Sequence, residues 1–360
     1  MKQTQALHAL GQSLWLDNIT RDMLGDGTLQ AYIHERSVTG LTSNPSIFDA
    51  AIANGASYDA QIADLANRGL SGETLFLQLA LSDLRHAADL FAAEHAHTHG
   101  VDGWVSMEVS PLLADDTAGT IEAAHNIFHA AGRSNLFVKI PGTPAGVAAI
   151  EESIFAGVPV NVTLLFDWQQ YLASANAYLR GIERRIAAGL GPRVASVASL
   201  FISRWDAAIH DTAPEPLRNK LGLAVAGRTY RAYRELLESP RWRVLAEAGA
   251  MPQRLLWAST GTKDASLPVD YYVRALAAPD TVDTIPEKTL LALDDDAAAA
   301  APVPMAADGE DADAMLARFA EARIDVSGLA ARLQLDGAAA FVKSWNSLVG
   351  RIQARLEAIA

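Results

Sequence analysis

Apolar residues along this chain follow two rhythms that take turns. Short runs rich in Val, Ile, Leu, Phe and Trp recur at 14–18, 38–43, 103–109, 136–140, 159–165, 194–201, 254–259 and 282–286. Their length and β-prone composition predict eight strands. Longer alanine-rich stretches with three- and four-residue apolar spacing fill the gaps, for example 71–95, 121–131, 145–155, 167–188 and 216–238, and these predict helices. Strands alternating with helices imply right-handed βαβ units and a parallel sheet. Eight such units suggest an α/β fold closed as a (β/α)8 TIM barrel, with an open doubly wound sheet as the alternative. The 46–95 and 204–249 gaps have room for extra helices.

Two stretches fall outside this rhythm. Residues 294–314 (DDDAAAAAPVPMAADGEDADA) are acidic and rich in Ala and Pro, the composition of a surface linker. At 338–359, Phe341, Trp345, Leu348, Ile352, Leu356 and Ile359 recur at helical spacing, so an amphipathic helix is expected there. It can pack on the outside of the barrel or lie over its mouth as a lid. The whole of 1–360 reads as one domain.

Half of the 360 residues are apolar and a fifth are charged, which fits a large core and not a disordered chain. There is no cysteine, hence no disulfide framework, thiolate nucleophile or zinc–thiolate site. The first fifteen residues show neither a long apolar segment nor a cleavage pattern, so no signal peptide is expected. No apolar run approaches the ~18 residues of a membrane span, and a cytoplasmic location is expected. The formal net charge of −13 disfavours nucleic acid and anionic lipid as partners. A small anionic substrate can still bind where a few cations converge. Monomer and homodimer both stay open.

Side chains of a barrel strand alternate between the interior and the helical layer. On that reading Trp15 and Asp17 share one face, as do Thr42 and Asn44. Trp104, Ser106, Glu108 and Ser110 oppose Val105, Met107 and Val109. Phe137 and Lys139 oppose Val138 and Ile140, and Asn161 and Thr163 oppose Val160, Val162 and Leu164. Ser199 opposes Leu200 and Ile202, while Ser259 opposes Leu256 and Ala258. Polar groups thus gather on one parity near the carboxyl ends of the strands, where barrel active sites are built. A single Ser or Thr there is an ordinary strand-end residue. Lys139, Glu108 and Asp17 together are not, because unpaired buried charge is costly.

Lys139 lies among apolar neighbours. Desolvation or a nearby cation can favour its neutral amine, which attacks a ketone to form an imine. The protonated imine is an electron sink for breaking an adjacent carbon–carbon bond, and neither a metal nor another cofactor is required. Such chemistry also needs proton shuttles, and Glu108 and Asp17 are the candidates. The plain alternative is a structural ion pair. After the seventh strand, Ser259-Thr260-Gly261-Thr262-Lys263 offers amides, hydroxyls and a cation to a phosphate, and Arg204 after the sixth strand can add a bidentate contact. The run His95-Ala96-His97-Thr98-His99 suggests a metal site, but it leads into the third strand and so belongs to the far, amino-terminal face. Thr143 and Pro144, within a glycine-containing turn, read as a helix cap and first helical residue.

These residues also carry a resemblance. LWLDNITRDML, GLTSNPSIF, VSMEVSP, LFVKIPGT and NVTLLF, in that order, resemble the transaldolase family, and SLFISRWD and LLWASTGTKD extend the match beyond residue 260. The resemblance implies a class I (β/α)8 barrel that transfers a dihydroxyacetone unit between sugar phosphates, with Lys139 as the Schiff-base lysine on the fourth strand. It implies Glu108 as acid/base through a bound water, Thr163 as the residue positioning that water, and Asp17 as the group that takes and returns the substrate hydroxyl proton. Asn44, Asn161 and Ser199 would contact the dihydroxyacetone portion and Arg204 would hold phosphate. Many members carry a second phosphate-binding arginine after the seventh strand; here Lys263, with Ser259, stands in that stretch. A fructose 6-phosphate aldolase, a non-catalytic sugar-phosphate-binding barrel, and a metal-dependent barrel using Asp17 and Glu108 as ligands are the alternatives.

Overall fold

Eight strands pair in sequence order, all parallel, and the eighth returns to the first to close a barrel. They are β1 (Ser13–Leu16), β2 (Val38–Thr42), β3 (Trp104–Glu108), β4 (Leu136–Pro141), β5 (Val160–Leu165), β6 (Ser196–Phe201), β7 (Gln253–Ala258) and β8 (Val282–Ile285). Each falls on its expected run to within a residue or two, the usual uncertainty of element ends. The structure, a computed structural model, describes residues 2–295 and 300–359. Helices surround the barrel, and extra ones occupy the two long gaps, including Pro45–Ala53 and Asp59–Asn67 after β2 and Pro240–Glu247 before β7. The expected helix at 71–95 is two, Gly72–Leu90 and Ala92–His97.

The lower half of the interior is aromatic. Trp104 stacks on Phe137 with ring centroids 4.0 Å apart, and Trp15 lies 6.0 Å from Phe137. Gly40 makes room for this layer: a Cβ there would sit 2.7 Å from the Trp104 carbonyl oxygen and 2.8 Å from Trp15 Nε1. Beneath it, Arg254 reaches inward from β7, donating to Ser13 Oγ at 2.6 Å and pairing with Asp102 at 3.3 Å. The pair is buried and its remaining polar atoms bond to Ser13, Trp15 and backbone carbonyls, which is how a buried ion pair becomes tolerable. Aromatic bulk below therefore leaves only the upper layer open for chemistry.

The alternation expected for β1 to β6 holds, but that of β7 is reversed. Arg254 and Ala258 face the interior, and Trp257 points outward to Tyr230 on the helix Leu221–Glu238. Ser259 adopts a left-handed conformation (φ +57°) and so does not continue the alternation from which its face was inferred.

The expected linker at 294–314 also needs correction. Residues 296–299 lie outside the described residues, and a helix, Glu310–Glu321, begins inside the segment. Glu310, Asp311 and Asp313 occupy its first turn, where the helix dipole favours negative charge. The acidic cluster is thus a helix start. The C-terminal helix is longer than expected, Val326–Ile359, and its contacts with β5 and with the helices after β2 carry it across the carboxyl-terminal mouth. Trp345, Leu348 and Ile352 are buried and Phe341 and Leu356 partly so, as the spacing predicts; the Ile359 side chain lies outside the described residues. No helix among the described residues is long and apolar enough to cross a membrane.

Candidate active site

Strand ends place the polar residues of the upper layer around a cavity of about 200 Å³. Asp17, Thr42, Asn44, Lys139, Thr163, Ser199, Arg204, Ser259 and Lys263 all line it, and Phe201 and Phe341 add apolar wall. Wider clefts of about 370 and 440 Å³ open beside Met315 and at the amino-terminal face beside Trp242. Neither gathers these strand-end groups.

Lys139 and Glu108 are register partners on β4 and β3. Lys139 Nζ lies 3.2 Å from Glu108 Oε1 and donates to the Ser43 carbonyl at 3.0 Å. Both side chains are more than nine-tenths buried. Among the described residues the Glu108 oxygens nevertheless lack aligned hydrogen bonds, as does the buried hydroxyl of Thr163. Buried polar atoms are seldom left so. Burial pushes the Glu108 carboxyl above its ordinary range; the Lys139 ammonium pulls the other way, and the charge of Asp17 adds to the rise.

Asp17, one residue beyond β1, accepts from Thr42 Oγ1 at 2.9 Å, and that hydroxyl also meets Thr284 Oγ1 at 2.7 Å. Burial raises its carboxyl too, opposed by Lys139, the Thr42 hydroxyl and Lys263. Two carboxyls with raised pKa values on either side of one lysine suit separate proton-transfer tasks.

Asn161 Nδ2 donates to Ser106 Oγ at 3.2 Å, from β5 to β3 across the interior, and its Oδ1 accepts from Ser199 Oγ at 2.7 Å. The carboxamide is thereby fixed. Asn44 is the N-cap of the helix Pro45–Ala53, its Oδ1 accepting from Ile47 N at 3.1 Å and Ser46 Oγ at 2.6 Å. With the oxygen so occupied, its NH₂ is the end left to donate.

Arg204 makes no hydrogen bond or ion pair among the described residues. Its guanidinium lies over Phe201 at 4.9 Å and 5.9 Å from the Phe341 ring. Burial lowers its pKa, against the Glu108 charge. A partly buried cation without an anionic partner, held by two aromatic rings, is ready for a phosphate or carboxylate. Lys263 lines the same cavity but is exposed, and Ser259 Oγ is 3.0 Å from Ser203 Oγ. His95 bonds the Asp102 carbonyl at 3.0 Å on the amino-terminal face, away from this cavity, and Thr143 caps Pro144–Ala156 with Gly146 N at 3.1 Å.

All ten sequence-derived residues are thus close together. Four contributors were not read from the sequence as site groups: Ser43 through its carbonyl, Thr284, Phe201, and Gln334 of the C-terminal helix, which donates to the Leu164 and Gly142 carbonyls beside Thr163. The parity argument could have found Phe201, which shares a face with Ser199. A backbone carbonyl leaves no mark in a sequence.

Residues 14–352 match the family described as transaldolase/fructose-6-phosphate aldolase. The chain is similar to a transaldolase of Renibacterium salmoninarum, 41% identical over 99% of this chain and 97% of that protein. It is similar to one of Arthrobacter sp., 43% identical over 98% and 97%, and to one of Thiobacillus denitrificans, 42% identical over 98% and 100%.

Proposed function

The chain belongs to the transaldolase/fructose-6-phosphate aldolase family and is a transaldolase; from that premise we propose that Lys139 forms the Schiff base, with Glu108, Asp17 and Thr163 moving the protons. The single observation that carries this assignment is the buried Lys139–Glu108 pair at 3.2 Å on the cavity side of the barrel.

The steps follow from the residues. Lys139 must be neutral to attack the C2 ketone of a ketose phosphate. Glu108 is the nearest base, and its raised pKa makes the carboxylic acid form accessible. It accepts the ammonium proton and later returns a proton to the carbinolamine oxygen, which leaves as water. A water held by the Thr163 hydroxyl, which has no partner among the described residues, and by Glu108, otherwise paired with the Lys139 ammonium, carries that proton. Asp17, across the cavity, takes the C4 hydroxyl proton. The C3–C4 bond then breaks, its electrons pass to the iminium, and an aldose phosphate departs. The remaining enamine attacks the aldehyde of the acceptor, Asp17 returns its proton, and hydrolysis frees Lys139. Asn44, Asn161 and Ser199 hold the dihydroxyacetone hydroxyls. Arg204 holds the phosphate, with Lys263 and the Ser259 turn as the outer side of that site.

Glu108 favours transfer over simple aldol release, because fructose 6-phosphate aldolases of the family tend to lack this acid/base glutamate. The test is a fructose 6-phosphate assay with and without erythrose 4-phosphate. Transfer predicts sedoheptulose 7-phosphate formation and little free dihydroxyacetone. Equal release of dihydroxyacetone without acceptor would identify an aldolase instead.

A further inference from the structure

The C-terminal helix does more than lie over the mouth. Gln334, Gly337 and Phe341 fall at i, i+3 and i+7, on one helical face, and all three meet the site. Gln334 Nε2 donates to the Leu164 carbonyl at 2.9 Å and to the Gly142 carbonyl at 3.1 Å. Both residues adjoin Thr163: Leu164 follows it in the chain, and Gly142, at the end of the neighbouring strand β4, donates its N–H to the Thr163 carbonyl at 2.8 Å.

Leu164 is where β5 departs from regular geometry. Its φ is +59°, unusual for a residue with a side chain, and the β5–β6 register shifts between Val162 and Leu165. A shift of this kind next to an active site re-aims a side chain and turns a backbone carbonyl out of the ladder. A conformation so disfavoured persists only where its surroundings over-determine it. Gln334 supplies that constraint, and Gly337 permits the approach: a Cβ at Gly337 would come 3.0 Å from Leu164 Cδ2 and 3.1 Å from Arg204 Nη1.

We propose that Gln334 is a positioning residue for the reaction, holding the left-handed turn at Leu164 so that the Thr163 hydroxyl faces the Lys139–Glu108 pair. The inference rests on the roles assigned to Lys139 and Thr163 above. Gln334 touches no reacting atom; it acts through Leu164, which follows Thr163, and Gly142, which bonds the Thr163 carbonyl.

The test is a double-mutant cycle on the full chain, Gln334→Leu with Thr163→Ala, read as kcat and KM for fructose 6-phosphate. Gln334→Leu is expected to lower kcat about tenfold, the scale of a small misplacement, with KM within about twofold. In the Thr163→Ala background the same substitution should change kcat less than about twofold, because coupled residues do not add. An unchanged kcat in the single variant, or an equal fall in both backgrounds, overturns the proposal. Should Gln334→Leu fail to fold, Gln334→Glu decides. A protonated carboxyl can donate one of the two bonds and a carboxylate neither, so kcat relative to wild type should climb as pH falls through the new carboxyl's titration. A flat ratio overturns the proposal. Borohydride trapping of the wild-type protein separates the two levels. An adduct on Lys139 with unaffected Gln334 variants removes this inference alone. No adduct removes the reading beneath it.

Discussion

Lys139 Nζ and Glu108 Oε1 stand 3.2 Å apart, on adjacent strands in direct register, inside a cavity wall with little access to water. Parallel pairing sets the two residues opposite each other, and burial raises the carboxyl above its ordinary range, against the pull of the Lys139 ammonium. General acid–base contributions of this kind amount to roughly 10²–10⁴ in rate. Glu108→Gln is therefore expected to lower kcat by about 10²-fold or more with little change in KM, measured by steady-state kinetics. A loss confined to KM would show that Glu108 only binds substrate.

The same burial predicts a pH profile. Asp17 and Glu108 both have raised pKa values, with burial as the leading cause. Asp17 must be ionised to accept the substrate hydroxyl proton. Activity should therefore fall on the acid side at a pH above the ordinary carboxylate range, and Thr42→Val, which removes a bond that favours the charged form, should move that limb further up. A limb at an ordinary carboxylate pH in both proteins would argue against Asp17 as the base.

Arg204 and Lys263 differ in exposure, and their substitutions should differ accordingly. Hydrogen bonds to charged groups contribute about 1.5–3 kcal/mol, so Arg204→Met should raise KM for fructose 6-phosphate roughly tenfold to a hundredfold. Lys263→Met should cost only a few-fold, and that effect should shrink as salt rises, because exposed charges are screened. Equal and salt-independent effects would place the phosphate differently.

Asp283 offers a prediction about stability. Its register with Leu14 and Trp257 turns it to the helical layer from β8, fully buried, with neither oxygen hydrogen-bonded among the described residues. Burial pushes its pKa up to about 8; the nearby Thr260 hydroxyl, which donates instead to the Thr284 carbonyl, opposes this. The folded state thus keeps a proton that the unfolded chain releases near pH 3.8. Stability from this group is full below that pH and is lost as pH rises toward about 8, at about 1.4 kcal/mol per unit. Asp283→Asn removes the titration. In denaturant melts the variant should gain on the wild type as pH rises from 5 to about 8. A constant difference across that range would refute the assignment.

Gly40 tests the packing below the site. Adding a Cβ would force it to 2.7 Å from the Trp104 carbonyl, and overpacking of this kind costs about 1–3 kcal/mol. Gly40→Ala should lower the melting temperature measurably while leaving any correctly folded fraction active. No loss of stability would mean the aromatic layer is looser than its contacts suggest.

Most of this was legible in the sequence because a strand's two-residue period writes its buried face directly. Trp15 with Asp17, Phe137 with Lys139, and Trp104 with Glu108 each pair a space-filling residue below with a functional one above. The rule failed at Ser259, where one left-handed residue ends the alternation and the inward residues of β7 are Arg254 and Ala258. It was silent at Gln334, because that residue acts on backbone carbonyls exposed by the irregular turn at Leu164. The helix at Glu310 was obscured by composition: alanine and proline suggested a linker, while the acidic residues were marking a helix start. The early half of the C-terminal helix was missed because Gly328 and Gly337 interrupt its pattern. At Gly337, the small residue serves close approach to Leu164 and Arg204.

The most direct measurement is borohydride reduction of the protein in the presence of fructose 6-phosphate, followed by mass spectrometry of its peptides. The account predicts a dihydroxyacetone-sized adduct on Lys139 that is absent from Lys139→Ala. A folded wild-type sample with no adduct, or with the adduct on another lysine, would contradict it.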